Sequence, residues 1–407
     1  MDFAGKKILI VASDFPYPTN HGARMDIWGR ILALKQLGFY IDLVATVKGK
    51  PGDEELAMVR KIVSGDVIIC QRKVRFIDLL SIQPLQAKSR GLLKKIPLAR
   101  DYDILLLESE YNLSILDNPS LRVGEIVLRI HNDEEKYLRE LSRSARFGIR
   151  KLYYWLESFK CRKLKAIVAA KIKNVMLISL VEYHCFIGQF PDKNAIYLPP
   201  PLPPRMSRKT GQDTSKVIFV GSLFMANNRE AVDWYLKWIH PYLTDIHGYE
   251  LIIAGNSRGD GGSWYDRLTT LPRVTFYNSP VELGPLYEKS SLFINPMLHG
   301  AGVKLKVVDA IINGLPVVST TIGAEGTGLY GRQHLLIAND PVTFAAAVRE
   351  VLLNPVLGEE LVLRAQRYMT EHYDQVALLG KFLKPLVGGE GVGSGKQTEN
   401  SRPGNSR

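Results

Sequence analysis

The chain has 407 residues, of which 46% are hydrophobic and 23% are charged, and its formal net charge is +12. This composition predicts a globular protein, and a chain of this length exceeds one usual hydrophobic core, so we expect two domains. No apolar run reaches the roughly 18 to 20 residues that cross a bilayer, and the apolar start lacks a small-residue cleavage site, so neither a membrane span nor a signal peptide is predicted. The three cysteines form no metal-binding or redox pattern, which favours the reducing cytoplasm.

The first half of the chain alternates apolar strands with helices. Residues 7–12 predict a strand, residues 25–37 a helix and residues 40–47 a second strand, which together form a β-α-β unit. Further strands are predicted at residues 67–70, 104–108, 125–130 and 174–179. This alternation predicts a parallel sheet with helices on both faces.

A proline-rich stretch at residues 199–204 separates the two halves, because proline removes backbone donors and disfavours helix. The pattern then restarts, with strands predicted at 217–220, 250–254, 274–277, 292–295 and 315–319 and helices at 231–243, 341–353 and 359–371. We therefore predict an N-terminal domain at residues 1–198, a hinge at 199–204 and a C-terminal domain at 205–371. Two doubly wound halves place a ligand cleft between the carboxyl ends of both sheets. The apolar-poor residues 388–407 predict a disordered tail.

The most informative segment, residues 299–320, indicates a glycine turn that opens a helix after an apolar strand. Backbone N–H groups at a helix start favour an anion, and Lys304 and Lys306 add positive charge, so the segment predicts a diphosphate site. Asp309 lies two predicted helical turns after Gly302, on the same face, where it is placed to accept hydrogen bonds from a ribose. An ordinary strand-turn-helix connection is the alternative interpretation, because short glycine motifs are permissive.

Basic residues concentrate at residues 88–100 and 139–173, where they alternate with aromatic side chains in the second stretch. Such segments are typical of helices that lie on an anionic membrane surface. No nucleic-acid-binding signature is present, so nucleic acid is not predicted as a partner. The alternative is a solvated helix face with core aromatics.

The segment 299–320 closely resembles the donor site of retaining glycosyltransferases of the GT-B fold, family 4 in particular. Asp309 and the following Gly-x-Pro-Val-Val run at residues 314–318 match its acidic residue and strand. Further resemblances fall in the family's order along nearly the full chain, at residues 16–24, 128–134, 219–223 and 251–255.

The resemblance implies an α/β, GT-B fold: two doubly wound, Rossmann-like domains that face each other across a cleft, with a C-terminal helix at 372–387 that crosses back to the N-terminal domain. It implies a glycosyltransferase that moves a sugar with retention from a nucleoside diphosphate sugar, without a metal or other cofactor. A lipid-linked or glycan acceptor is expected, in cell-surface polysaccharide or glycolipid biosynthesis.

The resemblance also assigns site residues. His131 is expected beside the transferred sugar, Asp309 at the donor ribose and His299 at the sugar hydroxyls. The residues expected on the donor side, with the first two facing its phosphates or the acceptor, are Gly22, Arg24, Gly221, Val281, Gly300, Gly302, Lys304, Lys306 and Glu325.

The sequence departs from the family's pattern in two places. The basic pair that usually follows the first strand of the second domain is missing from residues 222–228, so its role is expected at Lys304 and Lys306. The first glutamate of the Glu-x7-Glu motif is replaced by Ala301.

Three functions remain open at this point. The first is a cytoplasmic transferase at the inner face of the plasma membrane. The others are a GT-B binding module without catalysis and a nucleotide-sugar epimerase, which would need no acceptor.

Overall fold

Two parallel β-sheets organise the chain in a computed structural model, which describes residues 3–19, 22–144, 148–203, 205–209, 215–259, 262–300 and 302–388. We call the part built on the first sheet the N-terminal lobe and the part built on the second sheet the C-terminal lobe. Each sheet is covered by helices on both faces, so the predicted α/β fold with two parallel sheets is confirmed.

The N-terminal sheet has seven strands in the order β3-β2-β1-β4-β5-β6-β7. Alternate residues of β1 enter opposite cores: Ile8 and Ile10 pack on one face, and Leu9 and Val11 on the other. This two-sided burial explains the continuous apolar runs in the sequence. The strands are β1 Lys7–Ala12, β2 Tyr40–Val47, β3 Val67–Gln71, β4 Asp101–Leu107, β5 Arg122–Ile130, β6 Asn174–Leu177 and β7 Asn194–Tyr197.

Six α-helices and three short 3-10 helices connect these strands. Helix α1 buries Ile27, Ile31 and Leu34, whose helical spacing places them on one face. The α-helices are α1 Gly22–Gln36, α2 Asp53–Ile62, α3 Leu85–Lys88, α4 Glu134–Ser144, α5 Ile149–Lys171 and α6 Leu180–Gln189. The 3-10 helices are Phe76–Leu80, Gly91–Lys95 and Glu110–Asp117.

The C-terminal sheet has six strands in the order β10-β9-β8-β11-β12-β13. They are β8 Lys216–Val220, β9 Glu250–Gly255, β10 Val274–Asn278, β11 Leu292–Asn295, β12 Val317–Ser319 and β13 Leu336–Ile337. The helices are α7 Ala226–Trp238, α8 Ser263–Thr270, α9 Gly284–Lys289, α10 Leu305–Ile312, α11 Thr321–Ala324, α12 Pro341–Leu353, α13 Pro355–His372 and α14 Gln375–Val387, and His240–Leu243 forms a 3-10 helix.

The last helix, α14, returns to the N-terminal lobe. Its side chains Leu379, Phe382 and Leu383 belong to the core on one face of the first sheet. The proline stretch lies beside it, because Gln375 donates a hydrogen bond to the carbonyl of Pro199 at 2.6 Å. The predicted disordered tail falls outside the described residues, apart from Gly388, which follows α14 directly.

Both sheets have one point where the chain order reverses, between β1 and β4 and between β8 and β11. Ligands of open parallel sheets bind beside the carboxyl ends of strands at such a point. The two reversal points therefore mark where a site is expected in each lobe. None of the helices in the described part of the chain combines the length and the hydrophobicity that a membrane span requires.

Candidate active site

Two helix starts from opposite lobes meet beside the reversal points. A Cβ added to Gly22, at the start of α1, would lie 2.3 Å from Leu305 Cδ1, at the start of α10. Gly302 likewise approaches Asn132, whose Oδ1 would lie 3.0 Å from an added Cβ. Gly22 and Gly302, two of the glycines predicted from sequence, thus lie where the lobes touch, and a side chain at Gly22 would require Leu305 to move.

Polar residues of α1, of β5 and of the positions directly after β4 and β5 form one buried network in the N-terminal lobe. Arg30 donates to Glu108 and to Asp26, with distances of 2.6 Å to each carboxylate. Arg129 donates to the other oxygen of Asp26 at 3.0 Å. His131 completes the network, with Nδ1 3.4 Å from Asp26 and Nε2 3.4 Å from Glu108.

The network keeps its carboxylates charged. Burial alone would raise the pKa of Asp26, but Arg129, Arg30 and His131 hold that pKa well below its ordinary value. In the same way Arg30 and His131 overcome burial and lower the pKa of Glu108 to about 2. The imidazole of His131 is therefore held between two fixed negative charges, which orient the ring.

Asp26, Glu108 and His131 also bring three metal-ligand atoms together within the described residues. The same carboxylates already accept hydrogen bonds from Arg30 and Arg129. A cation at this place would have to share those oxygens with two guanidinium groups. The arrangement therefore fits a histidine-positioning network better than a metal centre.

The donor loop of the C-terminal lobe connects β11 to α10. The sequence predicts a helix that opens at the glycines, but α10 begins at Leu305 with Lys304 at the N-cap position. Asp309 is therefore the fifth residue of the helix, little more than one turn in, and the prediction of two turns is wrong. The positive φ angles of Gly300 (137°) and Gly302 (78°) explain the delay, because such backbone lies outside the helical region.

Lys306 contacts Asn228, in the segment 222–228 that lacks the basic pair expected from the family resemblance. Its Nζ donates to Asn228 Oδ1 at 2.8 Å and lies 4.5 Å from the centre of the Phe219 ring. Burial and the like charge of Lys304 lower the pKa of Lys306 to about 7. No carboxylate in the described part of the chain raises that pKa, so a negative charge placed beside this amine would favour its charged form.

Lys304 lies closer to the lobe interface. Its Nζ donates to the carbonyl of Gly302 at 2.7 Å and lies 3.9 Å from Glu325. Burial lowers its pKa, which Glu325, Glu140 and Glu182 partly offset. The loop thus presents two ammonium groups, of which one already faces a carboxylate.

Asp309 is bonded within its own lobe. One carboxylate oxygen accepts from the hydroxyl of Tyr287 at 2.8 Å, and the other lies 3.4 Å from the Asn313 amide. Burial raises its pKa, and the Tyr287 hydrogen bond lowers it in part. A ribose at this residue would have to share or replace one of these bonds.

The remaining predicted residues lie at the edges of the cleft. His299 is 67% exposed, with Nε2 3.6 Å from Glu230. Arg24 pairs with Asp14 at 3.0 Å. Val281 is fully exposed. Gly221 follows β8, where an added Cβ would meet the side chains of Phe219 and Asn228.

A cavity of about 130 Å³ adjoins the site. Asn132 lines it from the N-terminal lobe, and Gly302 and Glu325 line it from the C-terminal lobe. Burial raises the pKa of two further lining carboxyls, Glu110 to about 8 and Glu182 to about 7. Neutral carboxyl groups donate as well as accept hydrogen bonds, so this wall suits an uncharged polar ligand.

Four residues of the site, Asp26, Arg30, Arg129 and Asn228, were not predicted from the sequence. Asp26 and Arg30 show a four-residue helical spacing, and Arg129 interrupts an apolar strand, which are the only signals they leave. Asn228 leaves none.

Comparisons with known proteins agree with this geometry. The sequence profile of the family described as "Glycosyl transferases group 1" matches residues 214–354. A Klebsiella pneumoniae protein, described as "Uncharacterized 44.6 kDa protein in cps region", is 34% identical over 391 residues, which cover 93% of this chain and 99% of the relative.

Two solved structures share the fold at low identity. A TarM variant of S. aureus, in complex with Fondaparinux, alpha-GlcNAc-glycerol and UDP, is 12% identical with a TM-score of 0.66, over 94% of this chain and 99% of TarM. HepE of Anabaena, in complex with UDP-glucose, is 13% identical with a TM-score of 0.60, over 94% of this chain and 99% of HepE. The fold is therefore GT-B, and the chain belongs to the glycosyl transferases group 1 family of glycosyltransferases.

Proposed function

We propose that this protein transfers a sugar from a nucleoside diphosphate sugar to a lipid-linked or glycan acceptor, with retention, in the biosynthesis of a cell-surface polysaccharide or glycolipid. The observation that carries the proposal is Lys306, whose Nζ donates to Asn228 at 2.8 Å beside Lys304 at the entrance of α10, with no carboxylate among the described residues to offset its burial. The UDP complexes of TarM and HepE make UDP the first nucleotide to test. The relative in a cps region supports polysaccharide synthesis.

In the proposed reaction the bond from the anomeric carbon to the diphosphate oxygen breaks, the acceptor oxygen forms the new bond to that carbon, and the proton of the acceptor hydroxyl leaves with the nucleoside diphosphate. Lys304 and Lys306 stabilise the negative charge that builds on the departing diphosphate, and electrostatic stabilisation of this kind is usually the largest single contribution to catalysis. His131, held by Asp26 and Glu108, lies on the sugar side of the cleft. The proposed reaction needs no metal.

The other predicted residues have proposed positions around the donor. Asp309 accepts from the ribose by exchanging its bond to Tyr287, and His299 contacts the sugar hydroxyls. The backbone of Val281 covers the base. Residues proposed to contact the diphosphate from both lobes are Gly22, Arg24, Gly221, Gly300, Gly302 and Glu325.

The cavity beside Asn132 is the proposed place of the acceptor. Its carboxyl groups with raised pKa values, Glu110 and Glu182, would exchange hydrogen bonds with neutral hydroxyl groups. We also propose an anionic membrane surface as a partner, because the chain carries a net charge of +12 and a lipid-linked acceptor lies at that surface.

A nucleotide-release assay separates the three functions left open by the sequence. A transferase should release UDP from a UDP-sugar only when an acceptor glycan or glycolipid is added, and chelation by EDTA should not change the rate. Conversion of the sugar without any acceptor would identify an epimerase instead. Binding of UDP-sugars without turnover, with every acceptor tried, would favour the binding module.

Binding of UDP should take up a proton at about pH 8. The pKa of Lys306 is lowered to about 7, so the free amine is mostly neutral at that pH, and a bound diphosphate favours its charged form. We expect uptake to approach about one proton per UDP at about pH 8 and to vanish below about pH 6, where the lysine is already charged. Calorimetric titrations in buffers of different ionisation enthalpy measure this number. Uptake that is unchanged in Lys306→Met would contradict the assignment.

Gly302→Ala should lower turnover by about tenfold or more, because the added Cβ would lie 3.0 Å from Asn132 Oδ1 and displace the loop. Gly259→Ala is the matched control, since both glycines have a positive φ, 78° and 71°, but nothing lies within 4 Å of a Cβ at Gly259. Each variant should lose about 1 to 2 kcal/mol of stability through backbone strain. Steady-state kinetics and thermal unfolding test the pair, and equal turnover in both variants would show that the contact has no role.

A further inference from the structure

Exposed apolar side chains lie on two neighbouring elements of the N-terminal lobe. The 3-10 helix Phe76–Leu80 exposes Phe76 by 90% and Leu80 by 85%. The first half of α5 lies next to it and exposes Trp155 by 57%. We call this surface the apolar ridge; its residues are Val74, Phe76, Ile77, Leu80, Ile82, Ile149, Leu152, Trp155, Leu156 and Phe159. Contiguous exposed apolar surface marks an interaction site.

Hydrogen bonds connect α5 to the segment that contains the 3-10 helix Phe76–Leu80. Lys160 Nζ in α5 donates to the carbonyl of Leu79 at 2.9 Å. The backbone N–H of Leu85 donates to Glu157 Oε2 at 2.8 Å, and Glu157 is buried. The exposed side chains therefore belong to one folded surface.

The two described stretches that carry the apolar ridge contain exposed cations and no exposed carboxylate. Within residues 72–95 and 149–173 the only acidic side chains are Asp78 and Glu157, and both are buried. Asp78 accepts from the backbone N–H of Arg75 at 2.8 Å, and Glu157 pairs with Lys160 at 2.9 Å. The exposed basic residues in these stretches include Lys73, Arg75, Lys88, Arg150, Arg162 and Lys163.

We propose that the apolar ridge is the docking surface for an anionic membrane, with its apolar side chains in the boundary between headgroups and acyl chains and the exposed cations of the same stretches at the lipid phosphates. This combination of exposed apolar side chains and exposed cations is what an anionic bilayer surface complements. A second copy of the chain fits less well, because it would bring the same cations face to face. The proposal rests on the membrane partner proposed above and adds the residues that dock and the insertion of apolar side chains.

One helix links the docking surface to the proposed acceptor cavity. The first half of α5 carries Trp155 and Phe159, and its second half lines the cavity with Cys161, Lys165 and Val168. Ten helical residues separate Trp155 from Lys165, a rise of about 15 Å. Docking would therefore hold the cavity within a short distance of the lipid surface.

Vesicle co-sedimentation tests the proposal with the full-length protein. The double variant Phe76→Ser and Leu80→Ser should bind vesicles that contain phosphatidylglycerol about tenfold more weakly than the unchanged protein, because the serines remove apolar surface from the membrane. The matched control is Val342→Ser with Val356→Ser, which changes two side chains of the C-terminal lobe that are 74% and 64% exposed, and its binding should not change. Trp155 should show a blue shift of its fluorescence on docking, and the shift should disappear in Trp155→Phe.

The possible outcomes distinguish three failures: of the apolar ridge as the docking surface, of the donor site, and of membrane binding itself. UDP-induced thermal stabilisation should be equal in all these variants, so a failed donor site does not affect the reading of the vesicle data. Equal vesicle binding by the ridge variant and its control would overturn the proposal for this surface alone, and binding to no anionic vesicle would overturn the membrane partner as well. Conversion of a dimer to a monomer by Phe76→Ser with Leu80→Ser would assign the apolar ridge to a second copy instead.

Discussion

Replacing Lys306 by methionine should lower acceptor-dependent turnover by about a hundredfold or more while the protein remains folded. Methionine keeps most of the length of the side chain and removes its charge, so the departing diphosphate loses a preorganised cation, a change that costs about 10²- to 10³-fold in comparable oxyanion sites. Folding should not suffer, because burial and Lys304 already disfavour the charged form of Lys306 in the folded protein. Steady-state kinetics with a UDP-sugar and thermal unfolding measure the two effects.

Lys237→Met is the control for this variant. Lys237 is an exposed lysine of α7, and its Nζ lies 4.5 Å from the centre of the Trp238 ring. Its removal should leave turnover unchanged. A fall in kcat in Lys306→Met alone would support a role in the chemical step, whereas equal kinetics of both variants would remove Lys306 from the site.

Replacing Arg30 by methionine should destabilise the protein by about 3 to 5 kcal/mol. The substitution leaves Asp26 and Glu108 buried, while the guanidinium that donates to both is gone, and an uncompensated buried charge is costly. Asp26 and Glu108 lose the guanidinium that holds them in place, so His131 is oriented less firmly and turnover should fall in the protein that remains folded. Urea unfolding followed by circular dichroism measures the stability change.

Arg349→Met provides the comparison at the surface. Arg349 pairs with Asp245 at 2.7 Å, but the two side chains are 37% and 66% exposed, so water screens the pair. Its loss should cost no more than about 1 kcal/mol. A stability change in Arg30→Met as small as that in Arg349→Met would show that the buried network does not hold the lobe together.

The long elements of the fold follow from the sequence because their burial is periodic or continuous. β1 and β2 are buried on both faces and read as apolar runs, and α1 shows its buried face at helical spacing. The short strands β7 and β13 were not predicted, since an edge strand of four residues and one of two leave little pattern. The predicted helix 231–243 is the helix Ala226–Trp238 followed by a 3-10 turn, because Pro241 interrupts it.

Some parts of the candidate site could be predicted from the sequence, and others could not. The donor loop and its lysines form one continuous segment, so a motif reveals them. The network of Asp26, Glu108 and Arg129 joins residues about a hundred positions apart, and only the order of the strands brings them together. The contact of Lys306 with Asn228 depends on the reversal point between β8 and β11, which hydrophobic pattern does not specify.

The apolar ridge shows a further limit of sequence analysis. Phe76 and Leu80 look like core residues by type, and Phe159 occurs in a basic stretch that permits either interpretation. Burial depends on whether another element covers a side chain, and none of the described residues covers these. The aromatic residues of α5 accordingly divide, with Trp155 and Phe159 exposed and Tyr153 and Tyr154 partly buried.

A crystal structure of the complex with UDP would show whether the entrance of α10 binds the diphosphate of the donor. We expect the β-phosphate within hydrogen-bond distance of Lys306 Nζ, between Gly302 and Asn228, with the ribose at Asp309. A UDP molecule whose phosphates lie away from residues 302–306, with Lys306 still bonded only to Asn228, would contradict it.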